Sequence, residues 1–250
     1  MKPFYIIISV LLFSQSSFAL TIITDLDDTF KITNVSDLSE ATRNALFSKK
    51  AFLQFPNLLN EMDRYTNGLF IVSGSPTFLR GRIDKFLEHH KVISQDVILR
   101  NLIKDKDTLK YKIEQLKRIF RQSPGESFIL IGDDTEHDPE VYKRLKDLFP
   151  DQVEDIYIRA IKNISQPEFI KPFYTAFDIA LHEYKKERMG MNEVLLIGKS
   201  FLFAKDLELA LPDFAFCPSK KTDFKVTSIL SLSLLHKQIN HRLMKYCLSR

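Results

Sequence analysis

Thr21-Ile22-Ile23-Thr24-Asp25-Leu26-Asp27-Asp28-Thr29 is the stretch on which the reading of this chain turns. Leu20 to Thr24 is apolar and β-prone, as suits a buried strand. It stops at Asp25, Asp27 and Asp28. Carboxylates this close repel one another, so gathering them at a strand end points to a bound cation or to phosphate chemistry. The competing reading is an acidic turn after a strand.

Further apolar runs follow at regular spacing. Leu69–Ser73, Asp96–Arg100, Ser127–Ile131 and Asp155–Arg159 read as strands, the first preceded by an Asn67-Gly68 turn. Between them, Thr77–His89, Thr108–Phe120 and Val141–Leu148 carry apolar residues at helical spacing. Lys31 to Tyr65 is expected to hold two helical pieces, Ser39–Leu46 and Leu58–Met62, with Pro56 between them; they amount to a minimal cap. Strands alternating with helices predict an α/β fold with a doubly wound parallel sheet, whose ligand site lies at the carboxyl ends of the strands. Asp25–Thr29, Ser73-Gly74 and Asp133-Asp134 all fall at such ends. Beyond Arg159 a helix is expected over Phe173–Arg188, a strand over Val194–Gly198 and a last helix over Val226–Tyr246. The basic face of that helix, with Lys237, Arg242 and Lys245, offers a peripheral membrane contact, although solvent is the commoner neighbour of such a face. His236 and His241 read as surface residues.

Met1 to Ala19 has the form of a secretory signal peptide. Lys2 is the positive start, Phe4–Phe13 the apolar run, and Ser17-Phe18-Ala19 the small-x-small cleavage site. An uncleaved anchor is the alternative, but the run is short for a membrane span. The division expected is therefore residues 1–19 as leader, 20–160 as catalytic core and 161–250 as a mainly helical extension packed on the same domain. Export, to a periplasm or beyond the cell, implies an oxidising compartment. There Cys217 and Cys247 could pair, or remain two buried thiols. The 250 residues, 44% hydrophobic and 12% aromatic, describe a globular protein with a full core, and a net charge of +4 is mild. No interleaved basic and aromatic pattern suggests nucleic acid, and no glycine loop suggests a phosphate cradle.

Four features occur in a telling order: Asp25-x-Asp27-x-Thr29, a strand-ending Ser73, a lysine on a later helix (Lys110 or Lys112), and Gly132-Asp133 followed by Asp138. This set resembles the haloacid-dehalogenase-like superfamily, which implies its Rossmannoid core and an aspartate nucleophile. Asp25–Val35, Val72–Pro76, Phe128–Asp133, Glu136–Tyr142 and Ile156–Arg159 further resemble the catalytic domain of the actin-patch-associated phosphatidate phosphatases. Asp134-Thr135 departs from that pattern, where Ser-Gly is usual, and puts an extra carboxylate beside the expected metal position.

The resemblance implies a Mg²⁺-dependent phosphatase. Asp25 would attack phosphorus, and Asp27 would protonate the leaving alkoxide and then activate water. Asp25, the Asp27 backbone carbonyl and Asp133 would hold the ion. Ser73, Gly74 and Lys112 would bind the phosphate, Lys112 being preferred over Lys110 because the family's lysine stands at that distance from the Gly-Asp motif. Asp28 is expected to cap the following turn. The substrate implied is a phosphorylated lipid of the phosphatidate type. The alternatives are a small soluble phosphomonoester, or a non-enzymatic lipid-binding protein on the same scaffold; a pure binder would have no need of Asp27.

Overall fold

The computed structural model describes residues 19–34, 37, 48–218 and 230–250. Its centre is a single six-stranded sheet. The strands are β1 (Ala19–Thr24), β2 (Leu69–Pro76), β3 (Asp96–Arg100), β4 (Glu126–Asp133), β5 (Val153–Arg159) and β6 (Ile170–Phe173), in the order β3-β2-β1-β4-β5-β6. Every pairing is parallel. The chain winds outward through β2 and β3, then returns to the other side of β1. The switch point therefore lies between β1 and β4, where a doubly wound sheet opens a crevice at its carboxyl edge.

Strand periodicity explains the two layers around the sheet. Ile22, Ile129 and Ile131 join one apolar cluster, while Ile23, Phe128 and Leu130 join another. Successive residues point to opposite faces, and both faces of a parallel sheet are covered, so these strands are apolar throughout. One cover consists of α3 (Thr108–Gln122) and α4 (Asp138–Leu148), which bury Leu116, Phe120, Val141 and Leu145. The other consists of α1 (Phe55–Asp63), α2 (Arg80–His90), α5 (Ala176–Lys185), α6 (Met191–Phe203) and α7 (Leu230–Leu248). A short 3-10 turn, Thr77–Leu79, leads into α2.

Several sequence expectations are corrected here. Phe173–Arg188 is not one helix: Ile170–Phe173 adds the sixth strand, and α5 starts only at Ala176. Asp178 Oδ2 accepts the backbone N–H groups of Tyr174 (2.9 Å) and Thr175 (2.8 Å), which stops the chain from running straight from strand into helix. Val194–Gly198 is helical rather than a strand. Val194, Ile197, Gly198 and Phe201 are its buried positions, a spacing of three and four that a short apolar run conceals. Pro56 lies in the first turn of α1, where its missing N–H costs nothing, rather than between helices. That helix buries Phe55, Leu58, Leu59 and Met62 in the core. Ser39–Leu46 lies outside the described residues, as do Met1–Phe18 of the leader. His236 is buried, 2% exposed, beside the Phe177 ring, whereas His241 is exposed. Arg242 is turned inward to the Ala204 carbonyl, so the basic face of α7 is thinner than its sequence suggests.

Cys217 and Cys247 form a disulfide with Cα atoms 5.7 Å apart, tying the end of α7 to the segment after α6. Among the described residues no helix is long and apolar enough to cross a membrane.

Candidate active site

Strand β1 delivers Asp25 to the switch point. The Asp25 N–H continues the ladder to Ile131 O (2.8 Å), so its side chain leaves the sheet between β1 and β4. There Oδ1 accepts from Lys112 Nζ at 2.8 Å, and the same ammonium donates to Asp138 Oδ1 at 2.5 Å. Lys112 lies on the inner face of α3 and is buried, while Lys110 is exposed. Of the two lysines left open by the sequence, Lys112 is the one against Asp25. Asp138 starts α4, where the helix dipole favours a carboxylate. Gly132 makes room for it: a Cβ there would lie 2.5 Å from Asp138 Oδ2.

Asp133 ends β4 across the crevice. Its Oδ2 accepts from the Thr29 hydroxyl (2.8 Å), and its Oδ1 from the Thr135 N–H (2.7 Å) and hydroxyl. Carboxylate oxygens of Asp25, Asp133 and Asp138, all buried, lie within 4.8 Å of one another. Three carboxylates face one ammonium in a dry site, and their protonation reflects it. Burial pushes Asp25 well above the usual carboxylate range; Lys112 pulls it back, while Asp138, Asp133 and Asp27 add to the rise. Burial, and then Asp138, push Asp133 up to about 8. Burial pulls Lys112 down, but Asp138 and Asp25 outweigh that and hold it charged. The excess negative charge and the all-oxygen donor set fit a hard divalent cation.

Asp27 stands on the neighbouring wall. The Ser75 hydroxyl (2.6 Å) and the Ser73 hydroxyl (3.3 Å) donate to its Oδ2, and the Thr33 hydroxyl (2.8 Å) donates to its Oδ1. Ser73 is fully buried and accepts the Ser75 N–H at 2.9 Å, which curls the end of β2 over Asp27. A Cβ on Gly74 would meet Thr108 Cγ2 at 3.1 Å and Glu136 Oε2 at 3.7 Å, so the β2 end, the start of α3 and the β4–α4 loop meet there. Asp28 takes up a left-handed backbone (φ 57°), and its Oδ1 accepts the N–H groups of Thr33 (2.8 Å) and Asn34 (2.7 Å), capping the turn as expected. Arg159 closes the floor. Its Nε donates to Thr29 O and an Nη to Tyr174 O, both at 3.0 Å, and its guanidinium lies 3.7 Å from the Phe52 ring centre.

The expected site residues Asp25, Asp27, Ser73, Gly74, Lys112 and Asp133 thus gather at one end of the sheet. Three partners were not singled out for the site. Asp138 is signalled by the Gly-Asp-x-x-x-x-Asp spacing. Ser75 is signalled only by its place in Ser-Gly-Ser, and Thr33 has no signal. Asp134 corrects an expectation. Its Oδ1 accepts the N–H groups of Ile161 (2.8 Å) and Lys162 (2.7 Å) and its Oδ2 that of Ile164 (2.9 Å). All three bonds pin the loop after β5, so this carboxylate serves the loop and not the acidic cluster.

A second group, Asp155, His182 and Glu183, also brings ligand atoms within 4.8 Å of one another. Lys186 (2.7 Å) and Arg188 (2.6 Å) already pair with Asp155, together with Lys171, and Arg188 pairs with Glu183 at 2.7 Å. Its charge is balanced by protein cations, and it is a structural network.

The yeast protein named Phosphatidate phosphatase APP1 [Saccharomyces cerevisiae (strain ATCC 204508 / S288c)] is 42% identical over 52 residues, which are 21% of this chain and 9% of that relative. The aligned stretch thus spans only about a tenth of the relative's length. Chains in two solved assemblies, "Structure of Pnkp1/Rnl/Hen1 complex" and "Structure of the Pnkp1/Rnl/Hen1 RNA repair complex", superpose with TM-scores of 0.40 and 0.41. Each is 19% identical over 51% of this chain, covering 43% and 40% of its own length, too distant to bear on function. The family described as "Phosphatidate phosphatase APP1, catalytic domain" matches residues 20–160, a span from β1 to just past β5 that takes in the whole acidic cluster. With that span exceeding half of the sequence, the chain belongs to this family, whose enzymes are phosphoric monoester hydrolases.

Proposed function

We propose that this chain is a metal-dependent phosphatase that removes phosphate from a lipid monoester of the phosphatidate type by way of an aspartyl-phosphate. The observation that carries the reading is Asp25 at the tip of β1, held by Lys112 and flanked by Asp133 and Asp138. An oxygen of the Asp25 carboxylate bonds to phosphorus as the ester P–O bond breaks, and Asp27 gives its proton to the departing alkoxide. Water then attacks the same phosphorus, passing a proton back to Asp27 and freeing phosphate and Asp25. The Ser75 hydroxyl orients Asp27 for both proton transfers, and Ser73, whose single hydroxyl proton rests loosely on Asp27 at 3.3 Å, turns it to a phosphoryl oxygen beside the Gly74 N–H. Lys112 balances charge as the phosphoryl group moves.

Asp25, Asp133 and Asp138, with the Asp27 backbone carbonyl, would hold the cation, for which Mg²⁺ is the natural choice with oxygen donors. When bound, it offsets repulsion between the carboxylates and an incoming phosphate dianion. We further take the chain to be exported; the leader pattern supports this, and the Cys217–Cys247 disulfide suits an oxidising compartment.

The test is phosphate release from phosphatidate vesicles and from a panel of soluble monoesters, for the wild type and for Asp25→Asn. Mg²⁺-dependent release from phosphatidate is expected, with no detectable release in the variant and an unchanged circular dichroism spectrum. Turnover that survives in Asp25→Asn rules out the nucleophile. Activity confined to the soluble panel retires the lipid substrate, and no activity on either favours a binding protein.

A further inference from the structure

We propose that the carboxyl edge of the sheet docks on an anionic lipid bilayer through apolar loop tips on both flanks of the catalytic crevice. The proposal rests on the lipid-phosphatase reading and names the surface on which that chemistry would take place.

In a parallel sheet the loops that follow the strands all emerge at the edge where Asp25 lies. On one flank, Phe78 stands two residues past the end of β2 and is 74% exposed. Beside it, Leu102 and Ile103 follow β3 and are 46% and 86% exposed. Pro76 pairs with Arg100 at the ends of these two strands, so their loops are neighbours. On the other flank, Ile164 follows β5 and is 54% exposed. Its loop is fixed by the three N–H bonds to Asp134 and by Lys162 Nζ on the Thr135 carbonyl (2.6 Å). Large apolar side chains scattered singly over a surface need no explanation, but several at the mouth of one site do.

Charge selects the occupant. Lys104, Lys106 and Lys162 are exposed among these tips, and none has an ion-pair partner among the described residues. Asp105 and Asp107 accept the backbone N–H groups of Asn101 and Lys110 but keep their charge, as does the exposed Glu136; counting Lys110, the exposed lysines outnumber these acids four to three. Isolated apolar tips interleaved with lysines match a surface of anionic headgroups over acyl chains. The flat continuous patch of a protein partner would look different. Geometry points the same way. Asp25 is 4% exposed at the bottom of the crevice, so a phosphate anchored in a bilayer reaches it only if the rim meets the headgroups.

The experiment uses the full chain and co-sedimentation with phosphatidylcholine vesicles, with and without phosphatidylserine, which is not a phosphomonoester. The wild type is expected to sediment with the anionic vesicles. The double variant Phe78→Ser/Ile103→Ser should lose roughly tenfold in vesicle affinity. Ile93→Ser/Leu148→Ser, at the opposite edge of the sheet, should lose nothing. On phosphatidate the first variant should keep wild-type turnover of a short-chain monomeric substrate and lose turnover on vesicles. A wild type that ignores vesicles, a rim variant that binds as well as wild type, or an equal loss in the opposite-edge variant would each overturn the docking surface. Vesicle binding that the rim variant loses, in a protein that hydrolyses no phosphatidate of either kind, would leave the surface standing and defeat the proposed reaction.

Discussion

Arg159 has an uncommon setting for a charged side chain. It is fully buried, and its guanidinium faces the rings of Phe52, Phe55 and Phe173 at 3.7, 5.0 and 4.6 Å. Among the described residues it has no carboxylate at salt-bridge distance, and its second Nη has no hydrogen-bond partner. What holds it are two carbonyls and three ring faces, a planar arrangement suited to guanidinium and not to ammonium. Through the Thr29 carbonyl it also steadies the residue whose hydroxyl bonds Asp133. Arg159→Lys should therefore destabilise the protein by about 1–3 kcal/mol, read from the urea midpoint, although charge is conserved. A midpoint unchanged within error would show that the stacking and the fork of donors do not matter. Single residues also mark the limit of what the sequence revealed. Asp25, Asp27 and Asp133 stood out because they end strands in a recognisable order. Ser75 and Thr33 did not, because nothing in a lone hydroxyl residue tells which carboxylate it will meet once two strand ends have curled together. Lys112 was preferred over Lys110 on the spacing that the family resemblance implies, and it is the one that occupies the buried face of the helix.

At the scale of elements, α6 is the instructive case. Its apolar run reads equally as a buried strand, and only its contacts settle the matter. Gly198 is the hinge of the packing: a Cβ there would lie 2.6 Å from Phe177 Cε2 and 2.7 Å from Leu235 Cδ2, side chains of α5 and α7. The bare backbone lets three helices approach closely. Gly198→Ala would ordinarily stabilise a helix interior by up to about 1 kcal/mol. Here overpacking should win, with a net loss of about 1–2 kcal/mol by thermal or chemical denaturation. A net gain would mean that Phe177 and Leu235 have room to move aside. The strands β1, β2, β4 and β5 were readable because both faces of their central residues are buried, which leaves nearly continuous apolar runs, and the edge strand β3 was readable by its short run Val97–Leu99. β6 was not, since Ile170–Phe173 is four residues long and contains Pro172. That proline is tolerable only because the strand is the sheet's edge, with one side unpaired.

For the molecule as a whole, the ion network at the far edge of the sheet sets the response to acid. Burial pushes the Glu183 carboxyl up, but His182 at 3.9 Å, the bonds from Arg188 and Tyr157 and the Arg188 charge more than reverse it, to about 2 against an ordinary 4.5. A carboxylate whose folded value is depressed adds stability above its unfolded value. That stability is lost as pH falls, here between about 4.5 and 2. Glu183→Gln should thus cost roughly 2–3 kcal/mol at neutral pH, and the gap from wild type should close as pH drops through that window. Urea midpoints measured across it give the answer, and a gap independent of pH would assign the loss to packing. None of this network was anticipated, because it joins β5, β6, α5 and the Arg188 turn, four segments whose charges look like solvated surface when read singly.

The order in which the pieces are made has its own consequence. Among the described residues the first strand to be made, β1, takes its place in the middle of the sheet, and the Thr29 hydroxyl finds its carboxylate 104 positions later. Until β4 has been synthesised, β1 lacks one of its two neighbours and the crevice has only one wall. A growing chain of this topology closes its centre only once β4 has been made, so the contacts that complete the crevice are among the long-range ones that form late.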